Sequence, residues 1–93
     1  MSITVEFYAG FREVVGKSKV VLETPKDVKT LLKELVEEFG PKLAEQLYEP
    51  GTQKLRDTVN VLVNGRSIIL LEGENTPLKN GDSVAIFPPV AGG

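Results

Sequence analysis

The groups with chemistry to offer lie at one end of this 93-residue chain, in Phe87-Pro88-Pro89-Val90-Ala91-Gly92-Gly93. Cysteine and histidine are both absent. That removes a disulfide framework, a thiolate nucleophile, a thiolate metal site and an imidazole base acting near neutral pH. No Gly-rich phosphate loop occurs. The unusual reactive group that remains is the terminal carboxylate of Gly93, reached over Gly92. Two glycines without Cβ atoms make the slimmest end a polypeptide can have. Pro88 and Pro89 fix φ and favour an extended course ahead of them. Six residues after Phe87 span on the order of 20 Å. The expectation is a tail, residues 88–93, whose carboxylate enters a narrow site on another protein. A frayed terminus is the alternative.

The remainder, residues 1–87, is expected to form one domain that positions this tail. Its length supports a single core. Apolar residues make up 41% and charged residues 26% of the chain, the balance of a folded globular protein rather than a disordered one. Net charge is −2, with no basic run. Nucleic acid is therefore disfavoured as a partner, because phosphate neutralisation needs clustered Lys and Arg. No stretch reaches bilayer-spanning length, and Met1–Glu6 lacks the basic start and apolar run of a signal peptide. The expectations are no membrane association and a cytoplasmic location. A chain so poor in catalytic side chains is expected to be a carrier, substrate or binding partner, not an enzyme on its own.

The elements follow from periodicity. In residues 3–8, Ile3, Val5 and Phe7 alternate with Thr4, Glu6 and Tyr8, which predicts a strand with one buried face. Residues 9–17 predict a turn with helical character, and Ser18–Glu23 a second strand pairing antiparallel with the first. Thr24-Pro25-Lys26-Asp27 is a helix-start signal, with Thr24 as cap, Pro25 at the first helical position and Asp27 near the N-terminus. Val28, Leu31, Leu32, Leu35, Val36 and Phe39 form one apolar stripe of an amphipathic helix. Gly40-Pro41 stops it. A shorter helix is predicted over Lys42–Tyr48, and a loop over Thr52–Asp57. Val59, Val61 and Val63 predict a third strand, Asn64-Gly65 a hairpin turn, and Arg66–Leu71 the returning strand. Glu72–Asn80 reads as a loop anchored by Leu78. Ser83–Phe87 is the last strand, with Val84 and Ile86 on one face and Ala85 and Phe87 on the other. The helix must bury its stripe against one face of a single sheet, giving an α+β roll.

Three segments carry a family resemblance. Phe7-Tyr8-Ala9-Gly10-Phe11-Arg12-Glu13-Val14-Val15-Gly16 resembles the first-hairpin signature of the small, ubiquitin-like subunit of molybdopterin synthase. Val61-Leu62-Val63-Asn64-Gly65 resembles its third strand and turn. Leu78 to Gly93 resembles its C-terminal signature almost position for position. The segments Lys42–Thr58 and Ser67–Thr76 are longer than in the shortest members. The resemblance implies the β-grasp fold, a mixed sheet packed on one main helix, with the last strand central and parallel to the first. It also implies a sulfur-carrier cycle. An E1-like adenylating enzyme would activate the Gly93 carboxylate with ATP, and sulfur transfer would yield a C-terminal thiocarboxylate. The tail would insert into the large subunit of molybdopterin synthase, within a heterotetramer, and give its sulfur to cyclic pyranopterin monophosphate. Molybdenum or tungsten belongs to the product, so this chain is expected to bind neither metal nor cofactor.

By alternation, Tyr8, Leu62, Ala85 and Phe87 fall on the sheet face opposite the core. If exposed, they form a docking surface beside the tail. The second hairpin or the short helix could instead cover them. Arg12 is a candidate to pair with an acidic group on the partner, or else a solvated turn charge. Pro88, Pro89, Val90 and Ala91 are the tail's expected contacts inside a partner. Two other roles share the same tail chemistry: sulfur carriage for thiamine or tRNA thiolation, and protein modification through Gly93 on lysines. A binding module without tail chemistry leaves the Gly-Gly end unexplained.

Overall fold

A computed structural model describes residues 2–88. The alternation in the first segment becomes strand β1 (Ile3–Phe7), with Ile3, Val5 and Phe7 buried. The turn after it is a full helix, α1 (Gly10–Val15), whose Phe11 and Val15 reach the core. Strand β2 (Lys19–Leu22) returns antiparallel to β1, with Val5 opposite Val20.

Helix α2 (Val28–Phe39) buries Val28, Leu31, Leu32 and Leu35 completely, and Val36 and Phe39 pack partly against the same core. Its start corrects the sequence reading. The cap is Asp27, not Thr24, and its Oδ1 accepts the Thr30 N–H at 2.8 Å. Pro25 lies before the helix instead of at its first position. Asp27 prevails because it sits one residue ahead of the apolar stripe, where a carboxylate reaches an otherwise unpaired N–H. Thr24 instead donates its hydroxyl to Glu34 Oε1 at 2.8 Å. Gly40, with φ 91°, separates α2 from α3 (Pro41–Leu47), which buries Leu43 and Leu47.

Strand β3 (Asn60–Val63) turns through Asn64 (φ 51°) and Gly65 (φ 84°), the two positive φ values that a type I′ hairpin requires. The returning strand is shorter than the sequence predicts. Only Arg66–Ser67 pair, as β4; Ile68–Leu70 then coil into a 3₁₀ turn that drives Ile68 into the core. A further 3₁₀ turn covers Gly73–Asn75, and Leu78 is buried as an anchor.

Strand β5 (Ser83–Phe87) completes a five-stranded sheet in the order β2-β1-β5-β3-β4. It runs parallel to β1, with Val5 beside Val84, and antiparallel to β3, with Val61 beside Ile86. The central position of β5 is thus confirmed. The α+β, ubiquitin-like β-grasp architecture is that of the solved relatives described below. Among the described residues, no helix is long and apolar enough to cross a membrane.

Candidate functional site

The candidate site is the far end of β5 and the sheet face around it. Val84 and Ile86 point into the core, so Ala85 and Phe87 must point out, and both are partly exposed. The parallel register with β1 sets Glu6 beside Ala85. One step further along, Tyr8 reaches Phe87. Their rings stack with centroids 4.3 Å apart and planes 11° from parallel. The Tyr8 N–H donates to Ile86 O at 3.3 Å, which ties the two strand ends together. Tyr8 is 36% exposed, so the stack is a surface feature and not part of the core. On the other flank of β5, Leu62 lies beside Ala85 and is partly exposed. None of these four residues is buried by the second hairpin or by α3, so the outer face is open where the sequence had left two alternatives.

Sequence reasoning underweighted Glu6. Its carboxylate accepts from the Ser83 hydroxyl at 3.3 Å and from the Tyr8 hydroxyl at 3.4 Å. An acceptor is thereby fixed between the apolar residues, beside the ring stack. The signal was available, because Glu6 alternates in phase with Tyr8. Ala9 was not foreseeable. It takes φ 49° and ψ −124°, a conformation that residues with a Cβ seldom adopt, and it joins Tyr8 to α1. Arg12 is exposed on α1 and makes no ion pair with the other described residues.

Pro88 is partly exposed and is the last described residue. Pro89, Val90, Ala91, Gly92 and Gly93, all named as site residues from sequence, lie outside the described residues. Among the described residues no cluster of carboxylates could hold a metal ion. A central strand, anchored on both sides, runs to Pro88 beside an open face that carries the ring pair and the Glu6 carboxylate.

Comparison with known proteins places the whole chain. Over 95 residues the chain is 42% identical to small archaeal modifier protein 3 of Haloferax volcanii, with both chains covered in full. It is 34% identical over 91 residues to a molybdopterin synthase sulfur carrier subunit of Haemophilus influenzae, covering 98% of this chain and 99% of that one. The solution structure of small archaeal modifier protein 1 from Methanosarcina acetivorans superposes with a TM-score of 0.89 at 33% identity, covering 99% and 96% of the two chains. Residues 5–93 match the ThiS family, and the chain belongs to that family of ubiquitin-fold sulfur carriers.

Proposed function

We propose that this chain acts through its C-terminus, as a carrier whose Gly93 carboxylate is adenylated by an E1-like enzyme using ATP. The observation that carries the reading is the delivery of β5, the central strand, to Pro88 beside the exposed Tyr8–Phe87 stack, in a chain with no cysteine or histidine of its own. A carboxylate repels nucleophiles and has no good leaving group. Attack of Gly93 on the α-phosphorus of ATP releases pyrophosphate and makes AMP that leaving group. Tyr8, Arg12, Leu62 and Phe87 would dock on the activating enzyme, with Glu6 supplying an acceptor among them. Pro88, Pro89, Val90 and Ala91 would thread its channel, and Gly92 would let the terminus pass.

The acyl-adenylate has two fates. A sulfur nucleophile displaces AMP and leaves a thiocarboxylate, the chemistry of a sulfur carrier. A lysine amine displaces AMP and leaves an isopeptide bond, the chemistry of a protein modifier. Membership of the family supports sulfur carriage as the general role. The full-length 42% identity to a small archaeal modifier favours conjugation as a second use of the same terminus. Sulfur donation to cyclic pyranopterin monophosphate, inside a heterotetramer with the large subunit of molybdopterin synthase, is a narrower reading supported by the 34% identity to the Haemophilus subunit.

The test is the intact mass of the chain after incubation with the activating enzyme of the same cell, ATP and a sulfur donor. Gain of one sulfur in place of one oxygen establishes the carrier. A bond to a lysine of another protein with no sulfur gain assigns the modifier alone. No change with any such enzyme sinks the mechanism.

A further inference from the structure

The strand registers set Lys19, Glu6, Ala85 and Leu62 in one row across the outer face of the sheet. Ala85 has the shortest side chain of the row, so the face dips there, between Glu6 on β1 and Leu62 on β3. The Tyr8–Phe87 stack stands along one side of the dip, because Tyr8 and Phe87 follow Glu6 and Ala85 by two residues on the same strands. Glu6 is the one carboxylate that the five strands present on this face. Both of its oxygens are held. The Ser83 hydroxyl donates to Oε1 at 3.3 Å and the Tyr8 hydroxyl to Oε2 at 3.4 Å. A carboxylate oxygen has two lone pairs, so one acceptor position remains on each. Two N–H donors in a fork fill such a pair of positions. Lys19 lies opposite Glu6 in the register and makes no ion pair with it; among the described residues the ion pair formed is Lys54–Glu49.

We propose that this dip receives an arginine side chain of the activating enzyme, an inference that rests on the carrier reading above for the identity of the partner. Charge sets the first requirement. A purely apolar partner would cover the Glu6 carboxylate without a counter-charge, which is costly. Shape sets the second. The two rings lie 4.3 Å apart and 11° from parallel, beside the carboxylate. A planar guanidinium can lie against an aromatic ring and still direct two N–H groups at both Glu6 oxygens. A lysine ammonium supplies the charge, but it is a compact and strongly hydrated point without the fork. Ala85 and Leu62 offer an apolar bed for the stem of the arginine. The contact also bears on delivery of the tail. Ala85 lies on β5, three residues before Pro88, so an arginine seated there grips the strand that carries the reactive end.

The test compares adenylation of the full chain by its activating enzyme for the wild type, Glu6→Gln and Glu6→Arg. Glu6→Gln keeps an oxygen for a hydroxyl donor and removes the charge. Its KM should rise about tenfold and that of Glu6→Arg roughly a hundredfold, with kcat close to the wild-type value. Each surface arginine of the enzyme is then changed in turn to glutamate. One of these enzyme variants should improve the KM of Glu6→Arg at least about tenfold and worsen that of the wild type, a coupling that a merely structural Glu6 does not give. A second measurement needs no enzyme. N-acetyl-arginine amide, titrated into isotope-labelled full chain, should shift the amides of Glu6, Tyr8, Ala85 and Phe87. It should do so at a concentration at least about threefold lower than N-acetyl-lysine amide, and Glu6→Gln should abolish the difference. An unchanged KM in Glu6→Gln, no arginine whose reversal rescues Glu6→Arg, or an equal response to the two amides would each overturn the inference. A wild type that is never adenylated overturns the carrier reading instead, and the guanidinium site then stands or falls on the titration alone.

Discussion

The two ends of the central strand pair β1–β5 are built differently. Where β5 begins, polar groups close on one another. Asp82 accepts from Asn64 Nδ2 at 2.9 Å and from the Lys79 N–H at 2.8 Å. Asn64 Oδ1 accepts the Ser83 N–H at 2.9 Å, and Asn80 Oδ1 takes the Ser2 N–H at 2.7 Å. The start of α2 is fastened to the same end, with Leu78 N–H donating to Lys26 O and Val28 N–H to Thr76 O. Where β5 ends, the contacts among the described residues include a stacked ring pair, the 3.3 Å bond from Tyr8 N–H to Ile86 O, the 3.4 Å bond from the Tyr8 hydroxyl to Glu6, and an Ala9 at positive φ. The closed end satisfies nearly every group it presents. The open end leaves the Tyr8 and Phe87 rings, the Glu6 carboxylate and Arg12 on the outer surface. On the proposed function, stability and chemistry fall at opposite ends of the same two strands.

The largest effect should come from deleting Gly93. All sulfur or lysine transfer should disappear, while the urea midpoint stays that of the full chain. Activity that survives the deletion would break the assignment of chemistry to this end. Asp82→Ala is the converse experiment. It removes the acceptor of two exposed hydrogen bonds, from the Lys79 N–H and the Asn64 amide, which water can replace, and should cost about 0.5–1.5 kcal/mol in urea unfolding. The fraction that remains folded should react at the wild-type rate.

The division between ends was partly legible in the sequence. Ile3, Val5 and Phe7, and the Val28–Phe39 stripe, are buried as their periods require, because both elements have one wet face. Asn64-Gly65 announced its turn for a local reason, the need for two positive φ values. The parallel pairing of β1 with β5 has no such local signature and came from the family resemblance. Without that register, the alternation of Tyr8 and of Phe87 says only that each faces outward, not that they stack. Arg66–Leu71 misled because a run of apolar residues fits a strand as well as a 3₁₀ turn. What decided it was the depth at which Ile68 could be buried. The sequence reading gave the cap to Thr24 and took Asp27 only as a favourable charge; the apolar stripe begins right after Asp27, and that residue's carboxylate therefore meets the free N–H. Nothing in the letters around Ala9 reports its strain.

Removing the stack sharpens the contrast. Tyr8→Ala and Phe87→Ala should each lower stability by only about 0.5–1.5 kcal/mol, the range for an aromatic pair. Their main effect should fall on the activating enzyme, as a KM raised about tenfold or more with kcat nearly unchanged, the mark of lost docking. An unchanged KM would take the outer face out of the interface.

Acid should act on the closed end. The Thr30 hydrogen bonds hold the Asp27 carboxyl below its ordinary value of 3.8, with Lys26 and Lys29 adding a smaller pull. A carboxyl depressed in the folded state adds stability that is fully present above its unfolded value. That stability is lost as pH falls through the folded one. Unfolding midpoints measured downward from pH 5 should therefore drop more steeply in the wild type than in Asp27→Asn. The Asn variant keeps a capping oxygen without the titration. Parallel curves would show that Asp27 caps without electrostatic consequence.

The smallest effect belongs to Ala9, and its sign is the informative part. Glycine relieves the positive φ but enlarges the freedom of the unfolded chain, so the two contributions oppose. At φ 49° and ψ −124° the relief should exceed the entropy, and Ala9→Gly should gain about 0.5–1 kcal/mol. If the strain serves to hold Tyr8 over Phe87, the same variant should bind the activating enzyme more weakly although it melts higher. A gain in stability with undiminished binding would leave Ala9 as a local cost of the turn. It would also confine the site to the ring stack and the tail beyond it.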